Sequence, residues 1–231
     1  MTTTLITGAN KGLGHETARQ LIARGHTVYI GARSAERGEA AAAELGGRFV
    51  RLDVTDDASV AAALRVIEER EGHLDVLVNN AGVANPALDV DALTGAGALA
   101  EFDTNAVGII RVTQAALPLL RRSGNPVVVN VSSGLGSFWA VTNPERHESR
   151  SPFIVYAATK AAVSMLTVQF AKAVPEIKFN AVEPGYTSTD LTGNVAGQPV
   201  AEGAEVIVRL ATIGEDGPTG TFQEKTGELP W

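Results

Sequence analysis

Residues 4–14 read TLITGANKGLG, a short apolar run that ends in three glycines spaced GxxxGxG. The run predicts a strand and the residues after it predict a helix, so the glycines stand at a strand-to-helix turn. Glycine suits places where the backbone must bend sharply or let another group come close. Gly8 permits the turn, Gly12 lets the main chain approach a pyrophosphate, and Gly14 lets the helix pack on the strand. The free N–H groups at the start of that helix then face an anion.

Working outward, short β-branched runs alternate with alanine-rich helical stretches. Strands are expected at 2–7, 26–32, 47–53, 74–79, 125–132 and 177–183, with a short one near TGTFQ at 219–223. Helices are expected at 12–25, 34–46, 56–72, 97–124, 154–175 and 200–212. LDVLV and VVVNV are almost continuously apolar, as strands covered on both faces are. Strict strand–helix alternation implies parallel strands joined by right-handed crossovers. The expected fold is α/β: a single-domain, doubly wound Rossmann fold over 1–231, with a mostly or fully parallel seven-stranded sheet flanked by helices on both faces. Residues 1–125 form its cofactor half and 126–231 its catalytic and substrate half. The long polar stretch 134–153 has no clean period and reads as a functional loop.

Composition narrows the class. The 231 residues are 45% hydrophobic and 19% charged, which is globular. A net charge of −7 argues against nucleic acid or an anionic membrane as partner. With no cysteine, disulfides, thiolate catalysis and zinc–thiolate sites are excluded. The opening MTTTLITG has no basic segment or long apolar run, so no leader is expected and the expected setting is cytoplasmic.

Further motifs follow in order: DV at 53–54, NNAG at 79–82, TNAVG at 104–108, VSS at 131–133, YAATK at 156–160 and PGYTSTD at 184–190. Together with TGANKGLG they resemble the short-chain dehydrogenase/reductase family, over about residues 3–190. The resemblance implies an NAD(P)-dependent oxidoreductase acting on a small carbonyl or alcohol substrate. It implies cofactor contacts from Gly8, Asn10, Lys11, Gly12, Leu13, Gly14, Arg33, Asp53, Val54, Asn80, Ala81, Gly82, Tyr156, Lys160, Pro184, Gly185, Thr187 and Thr189. Asn105, Ser133, Tyr156 and Lys160 are its implied catalytic residues. Ser133 would meet the substrate oxygen, with Ser132 the alternative. Lys160 would also hold the nicotinamide ribose. Asn105 would serve a proton relay, or simply cap or kink its helix. The stretch before YxxxK, TGANKG and the tail GPTGTF look like the carbonyl-reductase-like branch. The family also implies a homodimer or homotetramer, although the 134–153 loop could shield that face and leave a monomer.

The residues themselves support this chemistry. Tyr156 and Lys160 are four apart and share a helix face. An ammonium beside the phenol favours the phenolate, so a lowered tyrosine pKa is expected. Tyr156 is then a general acid for reduction and a general base for oxidation. No Asp or Glu lies between Val28 and Ser34 to take a ribose 2′-OH. Arg33, Lys11, Asn10 and Ser34 instead suit a 2′-phosphate, so NADP(H) is expected in preference to NAD(H). No metal is expected: His26, His73 and His147 lack ligand spacing, and His15 reads as a partly exposed helix histidine. EERE at 68–71 reads as a solvated helix end, and Phe138 and Trp139 either line a pocket or pin their loop. Two other readings stand beside the reductase: an inactive cofactor-binding regulator, and dehydratase or epimerase chemistry. The first is disfavoured because Ser133, Tyr156 and Lys160 are all present, and the second by the short region after residue 190.

Overall fold

The computed structural model describes residues 1–84, 90–193 and 197–231. Its strands are β1 Thr3–Thr7, β2 Thr27–Ala32, β3 Arg48–Arg51, β4 Val76–Asn79, β5 Val127–Val131, β6 Lys178–Val182, β7 Thr221–Glu224 and β8 Gly227–Glu228. They form one sheet in the order β3-β2-β1-β4-β5-β6-β7-β8. Seven strands run parallel, and the two-residue β8 returns antiparallel on β7. The expectation of seven parallel strands is met. The eighth was missed because a two-residue edge has no pattern to read.

The helices are α1 Gly12–Ala23, α2 Ala35–Leu45, α3 Asp57–Glu71, α4 Gly95–Phe102, α5 Gly108–Leu120, α6 Phe138–Thr142, α7 Ile154–Ala173 and α8 Val200–Ala211. Alternation along β5 shows how they cover the sheet. Val128 points into a core with α3, α5 and the partly buried Phe170 of α7, while Val127, Val129 and Val131 point into a second core with α1, α2 and α8. Both faces are therefore dry, which is why β5 reads VVVNV rather than alternating. Its one polar residue, Asn130, is fully satisfied: Asn79 Nδ2 donates to its Oδ1 at 2.8 Å, and its own Nδ2 donates to Thr167 Oγ1 at 2.9 Å. Asn79 also reaches Thr113 at 3.1 Å, so one buried polar chain ties β4, β5, α5 and α7. By length and composition α7 is apolar enough to cross a bilayer, but it buries Thr159, Lys160, Val163, Ser164 and Thr167 in this fold.

Several boundaries differ from expectation. β3 stops at Arg51, so Asp53 and Val54 lie beyond it in a turn, where Asp53 accepts from Thr55 N at 3.0 Å. The helix expected over 97–124 begins at Gly95 and is broken by a π-helical turn at Asp103–Val107. Ser34 is the N-cap of α2, accepting from Arg37 N at 3.3 Å. Glu71 is not merely solvated: it accepts from Tyr29 Oη at 2.8 Å and pairs with Arg48. The 134–153 stretch is an ordered segment with α6 and two tight turns. It is anchored on the end of the chain, with Ser137 Oγ donating to Pro230 O at 2.6 Å and Trp139 N donating to Trp231 O at 3.2 Å.

The turn at Gly134–Gly136 is pressed onto α7. A Cβ at Gly136 would stand 2.5 Å from the Lys160 carbonyl carbon and 2.6 Å from its oxygen. Backbone on both sides cannot yield as a flexible side chain would. Gly136→Ala should therefore lower stability by about 1–3 kcal/mol or more. Gly124→Ala, where a Cβ meets nothing within 4 Å, should stay within about 0.5 kcal/mol. Thermal unfolding of the two variants checks the contrast.

Candidate active site

The site lies at the carboxyl ends of β1, β4, β5 and β6, where the strand order reverses and doubly wound sheets place their crevice. Gly8 and Gly12 both take left-handed conformations, φ +65° and +57°, which other residues adopt only at a cost. Gly14 is needed for space. A Cβ there would come to 2.5 Å of Asn80 Nδ2 and 2.8 Å of the Gly8 carbonyl. Asn80 in turn donates to Thr7 O at 2.9 Å and Gly8 O at 3.2 Å, so the NNAG segment holds the glycine turn in shape.

This cradle fits a dinucleotide. Unlike α2, α3 and α4, which begin with side-chain caps, α1 starts at Gly12 with no side chain on its first N–H groups. They remain available to an anion. Thr189 lies across the turn, with its Cγ2 3.6 Å from where a Gly12 Cβ would be, so the PG…T segment forms the opposite wall. Thr187 is buried, donating to the Gly185 carbonyl at 2.9 Å, and Gly185 is left-handed at φ +78°. Arg33 is exposed and makes no hydrogen bond or ion pair among the described residues, while its charge acts on Asp53. Lys11, by contrast, pairs with Asp190 at 2.7 Å, with both side chains well exposed. Val54 is buried against Gly108 and its carbonyl accepts from Arg111 at 3.2 Å. His15 faces Glu44 at 3.5 Å.

The chemistry-bearing residues come together from α7, β5 and the π-helical turn. Tyr156 and Lys160 share a face of α7, with Lys160 Nζ 5.5 Å from the phenol ring centre. Ser132 is spent on α7, donating to Lys160 O at 3.1 Å, whereas the Ser133 hydroxyl accepts from Leu135 N at 3.3 Å and acts on the Tyr156 phenol, opposing the rise in its pKa. Lys160 is 5% exposed, and its ammonium donates to the Val131 carbonyl at 2.7 Å. Asn105 is buried by the π-helical turn. Its Oδ1 accepts from Val83 N at 2.8 Å, and its Nδ2 donates to Val83 O at 2.8 Å and Thr159 Oγ1 at 3.0 Å. Gly82 opens the space between: a Cβ there would sit 3.4 Å from Asn105 Oδ1 and 3.7 Å from Lys160 Nζ.

The electrostatics differ from the expected lowered phenol. Burial pushes the Tyr156 pKa well above the ordinary value, and the charges of Glu183 and Glu101 add to it. Burial also brings Lys160 down to about 8, against the opposing pull of the same two carboxylates. The physical reason is that desolvation and acidic neighbours outweigh the ammonium, which is engaged with Val131. Glu183, given no role from sequence, is itself raised to about 7 by burial. Arg146 and Glu148, in the segment read as a loop, pair at 2.7 Å, and Arg146 also holds Glu224 at 3.0 Å and lies 5.8 Å from the Trp139 ring centre. Phe138 is exposed. One cue to Glu183 was present: a charged residue ending a buried strand directly before Pro-Gly.

The sequence pattern described as short chain dehydrogenase matches residues 2–199. This chain belongs to the short-chain dehydrogenase family. It is 34% identical to (−)-isopiperitenone reductase from Mentha piperita, covering 94% of each chain. Salutaridine reductase from Papaver bracteatum is 30% identical, over 95% of this chain and 93% of its own. Among solved structures, NADPH-bound carbonyl reductase from chicken fatty liver superposes with a TM-score of 0.87 at 27% identity, over 100% of this chain and 99% of that one. The Mentha alignment runs over 296 positions against 231 residues here, so at least 65 of its positions have no counterpart in this short-chain dehydrogenase.

Thr7 is the keystone of the glycine turn. Its Oγ1 accepts from both Asn80 N at 3.0 Å and Ala81 N at 2.9 Å. Thr7→Val keeps the shape but leaves the Ala81 N–H without an acceptor and the Asn80 N–H with only the Val78 carbonyl at 3.1 Å, so it should cost about 1–3 kcal/mol. Urea unfolding of the variant against wild type measures it.

Proposed function

We propose that this short-chain dehydrogenase is an NADP(H)-dependent carbonyl reductase or alcohol dehydrogenase, with Tyr156 as general acid/base. The observation that carries the reading is the convergence of Tyr156, Ser133 and Lys160 beside an uncapped helix N-terminus and its glycine turn. The nicotinamide, when bound, supplies or accepts the hydride. Gly8, Gly12, Leu13 and Gly14 would hold the pyrophosphate, Arg33 the 2′-phosphate, Asp53 and Val54 the adenine side, and Asn80–Gly82 the adenosine ribose. Lys160 and the Pro184–Thr189 segment would hold the nicotinamide side.

The proton steps rest on this chain's own groups. A raised phenol pKa keeps Tyr156 protonated at neutral pH, the form that gives a proton to a carbonyl oxygen. The Ser133 hydroxyl, beside that phenol, donates to the same oxygen where negative charge develops. Lys160, near 8, loses and regains a proton close to neutrality and can restore the phenol. Asn105 then positions the helix turn next to Lys160, with its relay role resting on that adjacency. Exposed Val107, Ile110 and Met165 leave apolar surface on the π-helical turn, α5 and α7, which supports assembly through these helices.

A panel of aldehydes, ketones and quinones assayed for NADPH oxidation tests the reading, and no turnover on any class would defeat it. Tyr156→Phe should abolish most reduction while leaving NADPH binding close to wild type, and Lys160→Met should damage both. Ser133→Ala should lower turnover by a factor of about a hundred or more. Reduction should fall as pH rises through about 8, as the Lys160 ammonium is lost. For the cofactor, Arg33→Ala should weaken NADPH by roughly 1.5–3 kcal/mol and leave NADH nearly unchanged. Fluorescence titration of both cofactors decides this, and equal affinities in the wild type would refute the preference.

A further inference from the structure

Glu183 directly follows β6, immediately before Pro184 and Gly185, and only 6% of it is exposed. Its carboxylate accepts from two backbone N–H groups on different loops. One is Gly134 N, in the turn that follows Ser133. The other is Gly185 N, at 2.7 Å, in the turn that leads to Thr187 and Thr189. No basic side chain pairs with it among the described residues. The charged groups around it come from every neighbouring element: Tyr156 and Lys160 on α7, Glu148 and Arg146 from the ordered segment, and Glu101 on α4 beyond the phenol. Glu148 stands on the other side of Gly134, where any Cβ would run into its carboxylate.

We propose that Glu183 is a positioning residue of this site, whose carboxylate clamps the Ser133 turn to the Pro184–Gly185 turn and whose charge sets the proton affinity of the Tyr156–Lys160 pair. The inference rests on the reductase reading for its effect on turnover, while the clamp itself does not. With the carboxylate charged, both N–H groups have an acceptor. With it protonated, one oxygen becomes a donor and the clamp is left with a single good acceptor. The charge is also lost from beside the phenol. Since burial holds the Glu183 pKa near 7, this change falls close to neutral pH.

The sign of the stability effect follows from the same shift. The folded protein binds this proton more tightly than an ordinary carboxylate near 4.5 does. The group therefore contributes stability at low pH that is lost as pH rises from about 4.5 through about 7.

Three measurements test the proposal. In the wild-type protein, the amide proton shifts of Gly134 and Gly185 should both follow one ionisation near pH 7 in a heteronuclear NMR titration. Flat titrations for these two amides overturn the clamp, and no variant needs to fold for that result. Glu183→Gln should lower kcat about tenfold to a hundredfold, as expected for a misplaced reacting group, and should move the pH–rate profile. The ionisation of Lys160 near 8 should shift to lower pH, because a negative neighbour that favours the ammonium is gone. The fall in stability between pH 4.5 and 7 should flatten in the same variant. Glu183→Asp keeps the charge but shortens the reach, so it should lower kcat with the profile little moved. A slower Glu183→Gln with an unmoved profile makes Glu183 a structural acceptor only and overturns the proposal, as does turnover within twofold of wild type. If the wild type reduces no carbonyl compound, the functional reading fails, and the two amide titrations still decide the clamp.

Discussion

The site depends on what happens where parallel strands end. Inside the sheet each backbone N–H and C=O has a ladder partner. At the carboxyl ends of β1, β4, β5 and β6 the strands part and those groups lose one another. A buried unpaired group is costly, so side chains must take over. Thr7 receives the N–H groups of Asn80 and Ala81, Asn80 satisfies the carbonyls of Thr7 and Gly8, and Lys160 satisfies the carbonyl of Val131. Glu183 receives Gly134 and Gly185. Each contact repairs a broken ladder and, in doing so, fixes a turn that lines the crevice. The residues of the crevice are thus held by the same bonds that allow the crevice to exist.

Which charge effect wins is decided by contact with a cation. Glu148 and Glu183 are both almost wholly buried, at 3% and 6% exposure. Burial alone would raise both. Glu148 is nevertheless held below the usual carboxylate range, because Arg146 bonds both its oxygens at 2.7 and 3.1 Å. Glu183 has only backbone N–H groups and goes up. Tyr156 and Lys160 follow the same rule, each pushed toward its neutral form by burial. A paired carboxylate stays charged through ordinary pH, and an unpaired one becomes a proton holder. Glu148 and Glu183 are one of each, on opposite sides of Gly134.

The sequence carried the local, short-period part of this design. GxxxGxG after an apolar run gave the cradle because each glycine answers a local need, and the structure shows those needs at Gly8, Gly12 and Gly14. Tyr156 and Lys160 were legible because helical spacing alone puts them on one face. The strand positions were legible because dry strands are continuously apolar. What escaped was set by long-range packing. The π-helical turn that buries Asn105 has no signature in TNAVG, since it answers contacts with Val83 and Thr159 from distant segments. The order of 134–153 could not be read because its bonds run to Pro230, Trp231 and Glu224, some 78 to 93 residues away. The phenol shift was misjudged for a related reason: helical spacing showed the nearby ammonium but not the carboxylates of Glu183, just after β6, and Glu101 on α4.

These two levels meet at Gly134. On one side of its backbone is Glu183, which bonds its N–H. On the other is Glu148, which leaves no room for a side chain. Glu148 is fixed by Arg146, and Arg146 also grips Glu224 on β7. A cleft of about 430 Å³ is lined by Glu145–Glu148, Glu183, Gly185, Gln198 and Glu224–Thr226. Its wall therefore meets, at one glycine, the turn that carries Ser133 beside the Tyr156 phenol. Glu183 lines that cleft and bonds Gly134 directly, so the shape of the wall and the position of Ser133 are set by the same contacts.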